Sequence, residues 1–421
     1  MAALLRLLVL SIIIISFCST AFGQYKGLTS GKWRGEFAVD KKRIPFNFVV
    51  EESKGSSKVY LINASERALL DEPYYKGDSI VIPINIYDAL LIGKVNGDSL
   101  KGYFRKNQIA RKGVGFAAAH NQTFRFKTAQ EGNPKSVKGK WSVNLTSERE
   151  GKKSTRYTVG LLEQEGAKVT GTILTTTGDY RYLEGVIDGK QLKLSAFSGS
   201  NPSLIEAELT DDQHLKGEFI SPGSRVLLEA TKSDTAKLPD PYKLTYLKPG
   251  FETLSFAFPD LNGKTVSLKD EKYRGKVVVL TVLGSWCPNC IDEAAFLAPW
   301  YKENKKRGVE IIGLSFERKD DLEFAKARLS TLIKRFDIQY DILFSGIADK
   351  NVVAERLPEL NTFLSFPTTV FIDKEGKVRK IHTGYNGPAT GKYYDEFIKE
   401  FNDEVNALVN EPAKAVKGGT Y

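Results

Sequence analysis

The sequence predicts an α/β C-terminal domain preceded by an all-β region of two similar antiparallel units, each a small sandwich or open barrel. Three observations carry this. From residue 24 to about 235, apolar residues alternate with other residues at period two, the pattern of half-buried strands. Two short words recur there in the same order, GKW at 31–33 and 139–141, then LKGYF at 100–104 and LKGEF at 215–219. Beyond residue 248, continuous apolar runs alternate with stretches of helical spacing, the signature of βαβ organisation.

In chain order, Arg6 precedes an apolar run from residue 7 to 17, and small residues lead to AFGQ. Residues 1–23 therefore read as a secretory signal cut between Gly23 and Gln24. The run is short of the about 20 residues that a membrane-spanning helix needs. Cys18 offers lipid attachment as an alternative, to which bulky Phe17 just before it is a poor fit. The mature chain is expected outside the cytoplasm, in a bacterial periplasm or cell envelope, with membrane association only through the N-terminal segment.

Residues 24–130 form the first β unit and 131–232 the second. Ile44, Phe46, Phe48 and Val50 alternate, as do Ile80, Ile82, Ile84 and Ile86, and again Tyr157, Val159 and Leu161. VNGDS at 95–99 is a hairpin turn. The GKW words lie 108 positions apart and the LKG words 115, a difference that loops absorb. Trp33 and Trp141 are expected as core plugs of the two units. Asn63, Asn121 and Asn144 fall in N-x-Ser/Thr sequons, which carry meaning only in a eukaryotic secreted chain.

Residues 233–247 are polar, hold two prolines and read as a linker. The α/β domain covers 248–409, and 410–421 is a frayed tail. Within the domain, GKVVVLTVLGS reads as a strand buried on both faces and VEIIGLSF as a second strand. Leu322, Ala325, Leu329, Leu332, Ile333 and Phe336 fall at helical spacing. TTVFID is a strand, KEGK a turn, and Tyr394, Ile398, Phe401, Val405 and Leu408 mark a last helix.

The net charge of +10 comes from 61 basic and 51 acidic residues spread along the chain. That is a solvated basic surface and gives no reason to expect a nucleic-acid partner. Cysteine is scarce: three in 421 residues, of which signal cleavage leaves Cys287 and Cys290 in GSWCPNC. This pair could be half of a metal site, a structural disulfide or a reactive dithiol. A zinc site needs four ligands. The mature chain adds only His120, His214 and His382, and only His382 belongs to the same domain; no metal is expected. The loop that a disulfide here would close is too short to stabilise much.

Reactivity has a physical basis. Proline is favoured at the first position of a helix, so Pro288 places Cys287 at a helix N-terminus. Free N–H groups and the helix dipole there favour a thiolate. Cys290 lies one turn inward. Cys287 can attack a partner's disulfide, and Cys290 can then attack Cys287 and release the reduced partner.

KVVVLTVLGSWCPNC with FPTTVFIDKEGKV further along resembles the thioredoxin superfamily, above all the periplasmic TlpA/ResA-like thiol–disulfide oxidoreductases, related to AhpC/TSA proteins. The resemblance spans about 248–409 and leaves the β repeats uncovered. It implies a thioredoxin-like fold, Cys287 and Cys290 as attacking and resolving cysteines of a redox-active disulfide, and Trp286 as the aromatic before them. It implies Pro367 as a cis-proline that brings the Phe366 backbone beside the dithiol to pair with a substrate strand. Glu293 matches a position where these proteins often carry a Glu, able to accept the proton of the buried thiol; the alternative is a first-turn acid facing the helix dipole, the role expected of Asp292.

The sequence departs from the superfamily at Thr281, where thioredoxin has a buried Asp, and at Ala295, where a proline is usual. The expected function is an envelope thiol–disulfide oxidoreductase without a cofactor, working as a reductase on proteins that carry disulfides or thiols and drawing on an upstream electron donor. Two rivals stand beside it. A thiol peroxidase would use Cys287, although Gly284 fills the slot where peroxiredoxins place a Thr. A β-domain binding protein would carry the C-terminal domain as a passive module.

Overall fold

The computed structural model describes residues 28–53, 56–106, 113–129 and 134–412. The expected signal with Cys18 and the end of the expected tail lie outside the described residues.

The GKW strand Gly31–Val39 pairs with Lys42–Ser53 on one side and Val114–His120 on the other. Val114–His120 pairs next with Ser99–Lys106, the strand that holds LKGYF. The second unit repeats this order. Gly139–Arg149 pairs with Lys152–Glu165 and Ser224–Lys232, and Ser224–Lys232 pairs with His214–Ser221, which holds LKGEF. Gly102 and Gly217 do the same job in the two LKG strands: a Cβ at either would sit about 2 Å from a carbonyl of the next strand, Ile92 O at 1.9 Å and Glu206 O at 2.0 Å. Trp33 and Trp141 are both fully buried, and each indole N–H donates to the carbonyl four residues back at 2.8 Å.

The two units differ in closure. The first is an open nine-stranded sheet, curled around Phe37, Phe46, Phe104 and Phe116. In the second, Lys168–Thr175 pairs with both Leu183–Asp188 and Lys152–Glu165, which closes an eight-stranded barrel. Closure also corrects the expected burial at Tyr157, Val159 and Leu161. These side chains lie on the outside of the barrel, whose core takes Leu162 instead. Tyr157 is exposed, while Val159 and Leu161 are covered by Ala236 and Leu238 from 233–247 and by Tyr393. Residues 233–247 are held to their neighbours, with the Thr383 hydroxyl donating to Thr245 at 3.0 Å.

The C-terminal sheet runs Asp341–Ile347, Val309–Glu317, Val277–Leu283, Thr368–Ile372, Val378–Thr383. The first three strands are parallel, Thr368–Ile372 runs antiparallel to them, and Val378–Thr383 runs antiparallel to Thr368–Ile372. Val277–Leu283 is central and buried throughout, as a strand covered on both faces must be. Val277, Val279 and Leu283 face the helices Pro288–Asn304, Leu322–Phe336 and Lys392–Asn410. Val278, Leu280 and Val282 face Leu254, Phe256, Phe258 and the short helix Lys350–Arg356 through Val353. Each fully buried Val or Leu contributes about 1.5–3 kcal/mol, so this strand is a rigid base for the GSWCPNC segment at its C-terminal end.

Candidate functional site

Cys287 caps the helix Pro288–Asn304 with an extended backbone. Its carbonyl accepts the Ile291 N–H at 3.1 Å, and its Sγ accepts the Cys290 N–H at 3.3 Å. A free N–H of the first helical turn thus points at the sulfur. Pro288 fills the first helical position, where its missing N–H is not needed. Both cysteines are free thiols, 5% and 1% exposed. Burial, and then the neighbouring Cys287, push the Cys290 thiol well above its ordinary range.

The Phe366-Pro367 peptide bond is cis, and the Phe366 carbonyl accepts the Cys287 S–H at 3.5 Å. Trp286 closes the other side. Its indole N–H donates to Phe316 O at 2.9 Å, its ring meets Phe366 edge to face at 5.3 Å, and the Arg318 guanidinium lies 4.3 Å from its centre. The structure therefore brings Trp286, Cys287, Cys290, Phe366 and Pro367 together, from segments some 80 residues apart.

Glu293 points inward. Only 2% exposed, it accepts the Thr281 hydroxyl at 2.5 Å and the Thr369 hydroxyl at 2.6 Å. Burial pushes its carboxyl up to about 7, against the lowering effect of those two hydrogen bonds. Its charge in turn helps raise Cys290. Thr281 occupies the place of thioredoxin's buried Asp, so here the helix supplies a carboxylate to the site where the strand lacks one.

Asp292 corrects an expectation. It is paired with a cation and not left facing the helix dipole: Arg181 of the barrel donates to its carboxylate, and to Glu66 of the first unit at 2.5 Å. Burial raises Asp292 to about 6 despite that arginine. Asn63 is likewise buried, bonded to Glu66 at 2.8 Å and Phe197 O at 3.0 Å, which leaves no room for a glycan.

Sequence reasoning missed three features. Glu317, fully buried at a strand end, accepts the Ser285 N–H at 2.9 Å and the Ser285 hydroxyl at 2.6 Å and so fixes the turn before Trp286. A carboxylate ending the apolar VEIIGLSF run was its only signal. The second is the Thr281–Glu293–Thr369 cluster. The third is the barrel segment 175–181, which reaches the cysteine helix. Among the described residues, no group of three or more His, Cys, Asp or Glu is placed to hold a metal, and no helix is long and apolar enough to cross a membrane.

The AhpC/TSA family matches residues 249–381. The thiol-disulfide oxidoreductase ResA of Bacillus thuringiensis subsp. konkukian (strain 97-27) is 32% identical over 151 residues, 36% of this chain and 77% of that protein. The chain belongs to the TlpA/ResA-like family of the thioredoxin superfamily. It is a thiol–disulfide oxidoreductase, and its C-terminal domain is thioredoxin-like. ResA of Bacillus subtilis (strain 168) is 30% identical to this oxidoreductase over 33% of the chain and 69% of its own length. A solved thiol-disulfide oxidoreductase from Bacteroides fragilis NCTC 9343 aligns at TM-score 0.27 with 23% identity, over 35% of this chain and 99% of that one.

Proposed function

We propose that this oxidoreductase reduces disulfides of partner proteins in a bacterial envelope through Cys287 and Cys290. One observation carries the reading: Cys287 Sγ sits at a helix start between the Cys290 N–H and the Phe366 carbonyl. Cys287, as thiolate, attacks one sulfur of the partner's disulfide. A bond forms from Cys287 to the partner, the partner's disulfide breaks, and the leaving sulfur takes a proton. Cys290 then passes its proton to Glu293 and attacks Cys287. The disulfide between Cys287 and Cys290 forms, and the partner's second sulfur leaves. The partner gains two electrons and the cysteine pair loses two, which an upstream thiol donor restores.

Glu293 suits the proton-accepting role because its carboxyl titrates near 7 beside a thiol that burial holds protonated. Trp286 and the Phe366 backbone before Pro367 would receive the partner's chain beside the dithiol. The envelope location rests on the apolar N-terminal segment.

The test is a trap. Cys290→Ser should accumulate mixed disulfides between Cys287 and partner proteins in cells, and Cys287→Ser should not. If neither variant traps a protein and the pair cannot be oxidised, the reading fails. A potential near that of strong periplasmic oxidants would reverse the direction alone.

A further inference from the structure

A part of the same chain packs beside the cysteine pair. Barrel residues 175–181, TTTGDYR, link the strand Lys168–Thr175 to Leu183–Asp188 and touch Asn289 and Ser365, which neighbour the dithiol and Phe366. Thr177 O accepts the Asn289 side-chain N–H at 3.4 Å and the Ser365 hydroxyl at 3.3 Å. Asn289 stands between the two cysteines, and Ser365 precedes Phe366. Gly178 rests directly on Asn289: a Cβ there would lie 1.9 Å from Asn289 Nδ2 and 3.0 Å from Tyr385 O, at φ +137°. Asp179 Oδ2 accepts the Gly387 N–H at 2.7 Å. From the other side, a Cβ at Gly384 would lie 2.9 Å from Thr176 O. Arg181 finishes the contact by joining Asp292 on the cysteine helix to Glu66.

We propose that residues 175–181 are a strap that closes the dithiol to protein partners and lifts off, with Arg181 as its latch, when a partner docks. Accessibility is the first argument. Cys287 is only 5% exposed, which leaves a disulfide held in a folded protein little room to approach it. The second is position. The strap sets a backbone carbonyl against Ser365, next to the backbone stretch at which a partner's extended chain would pair. The third is that the closed contact is incomplete. Arg181 Nε and Asn289 Oδ1 are buried with no hydrogen-bond partner among the described residues. A cavity of about 270 Å³, walled largely by barrel residues such as Ser200 and Phe219, reaches Asp179, Tyr180 and Arg181 of the strap and Pro288 and Asn289 of the helix start. Groups left unpaired in the closed state regain water in the open one, so opening restores part of what it breaks.

The inference rests on the dithiol reading, and its test scores the strap separately. In the full-length reduced protein, the rate of Cys287 alkylation by iodoacetamide is followed by peptide mass spectrometry. Gly178→Val prevents seating by collision with Asn289, and Arg181→Ala removes the latch without touching the seat. Both variants should alkylate about tenfold faster or more, as expected when a rarely open state becomes the common one. Both should also reduce the disulfides of insulin several times faster. Unchanged alkylation in both variants overturns the strap. So does faster alkylation with slower insulin reduction, since the segment would then be part of the partner's binding surface. If Cys290→Ser traps no partner with or without Arg181→Ala, the dithiol reading fails, while the alkylation rates still decide whether the strap covers Cys287.

Discussion

The Thr369 hydroxyl donates to Glu293 Oε1 at 2.6 Å, tying the cysteine helix to the strand that begins after Pro367. Thr281 donates to the other oxygen from the central strand. Three elements thus converge on one carboxyl beneath Cys290. In the general-base role proposed for it the carboxyl must be ionised, so turnover should rise with pH through about 7, where burial places its titration. Glu293→Gln should slow release of the mixed disulfide by about 100-fold and remove that rise. Thr369→Val, which takes away one donor that favours the charged form, should move the rise to higher pH. Rapid acid quench and mass spectrometry of the mixed disulfide measure all three.

The same carboxyl makes stability depend on pH. Its folded pKa of about 7 lies above its ordinary value of 4.5, so the folded state holds the proton more tightly. Its contribution is fully present below about 4.5 and is lost as pH rises through about 7. The loss reaches about 3 kcal/mol at about 1.4 kcal/mol per pKa unit. Glu293→Gln has no such loss. Its melting temperature relative to the parent should climb between pH 4.5 and 7 and level off above; a difference that stays flat would show that the carboxyl is solvated in the folded state.

Arg125 joins the first sheet to the barrel. Its guanidinium donates to Pro45 O at 3.2 Å, Ile62 O at 2.7 Å, Asn63 Oδ1 at 3.2 Å and Glu184 Oε2 at 3.3 Å. Its side chain is 2% exposed against 18% for Glu184. Removing one partner of a buried pair costs about 3–5 kcal/mol when the other stays buried and uncompensated. The exposure is unequal, so the two losses should be too. Glu184→Gln leaves the Arg125 guanidinium buried without its countercharge and should fall in that range. Arg125→Met leaves Glu184 near water with the Ala64 N–H, and Pro45 O and Asn63 Oδ1 keep the Ser195 hydroxyl and the Phe197 N–H, so it should cost less, roughly 1–2 kcal/mol. Urea unfolding of the two variants tests the order.

Much of this site could be read in the sequence because its signals are local. GKVVVLTVLGS is apolar on both faces because Val277–Leu283 is central, and Pro288 marks the helix start that aims an N–H at Cys287. The GKW and LKG words announce two units of one strand order. Barrel closure could not be read, because it depends on which strand Lys168–Thr175 meets on its second edge, and period-two alternation does not carry that register. The inward course of Glu293 rests on two threonines, 12 and 76 residues away, that look ordinary in isolation. The contact of Thr177 with Asn289 spans 112 residues and uses a backbone carbonyl, which leaves no mark on the side-chain pattern.

The two tryptophans test whether the repeated words reflect repeated structure. Trp33 and Trp141 occupy matching places: each is fully buried, stands third in its GKW strand, and gives its indole N–H to a carbonyl four residues back. Their surroundings differ. Trp33 stacks on Phe48 at 5.7 Å in an open sheet, whereas Trp141 lies in a closed barrel opposite Gly160. Replacement by Ala should cost about 3–5 kcal/mol at either place, because ring burial sets the cost and both rings are wholly buried. Replacement by Phe keeps an aromatic ring in place and leaves one carbonyl unpaired, so its hydrogen-bond share should be about 1 kcal/mol in each unit. Denaturant unfolding should give matching losses for the pair of Phe variants. A loss confined to Trp141 would mean that the closed barrel holds its carbonyl away from water while the open sheet lets Thr29 O be hydrated, and the likeness of the two units would then stop at topology.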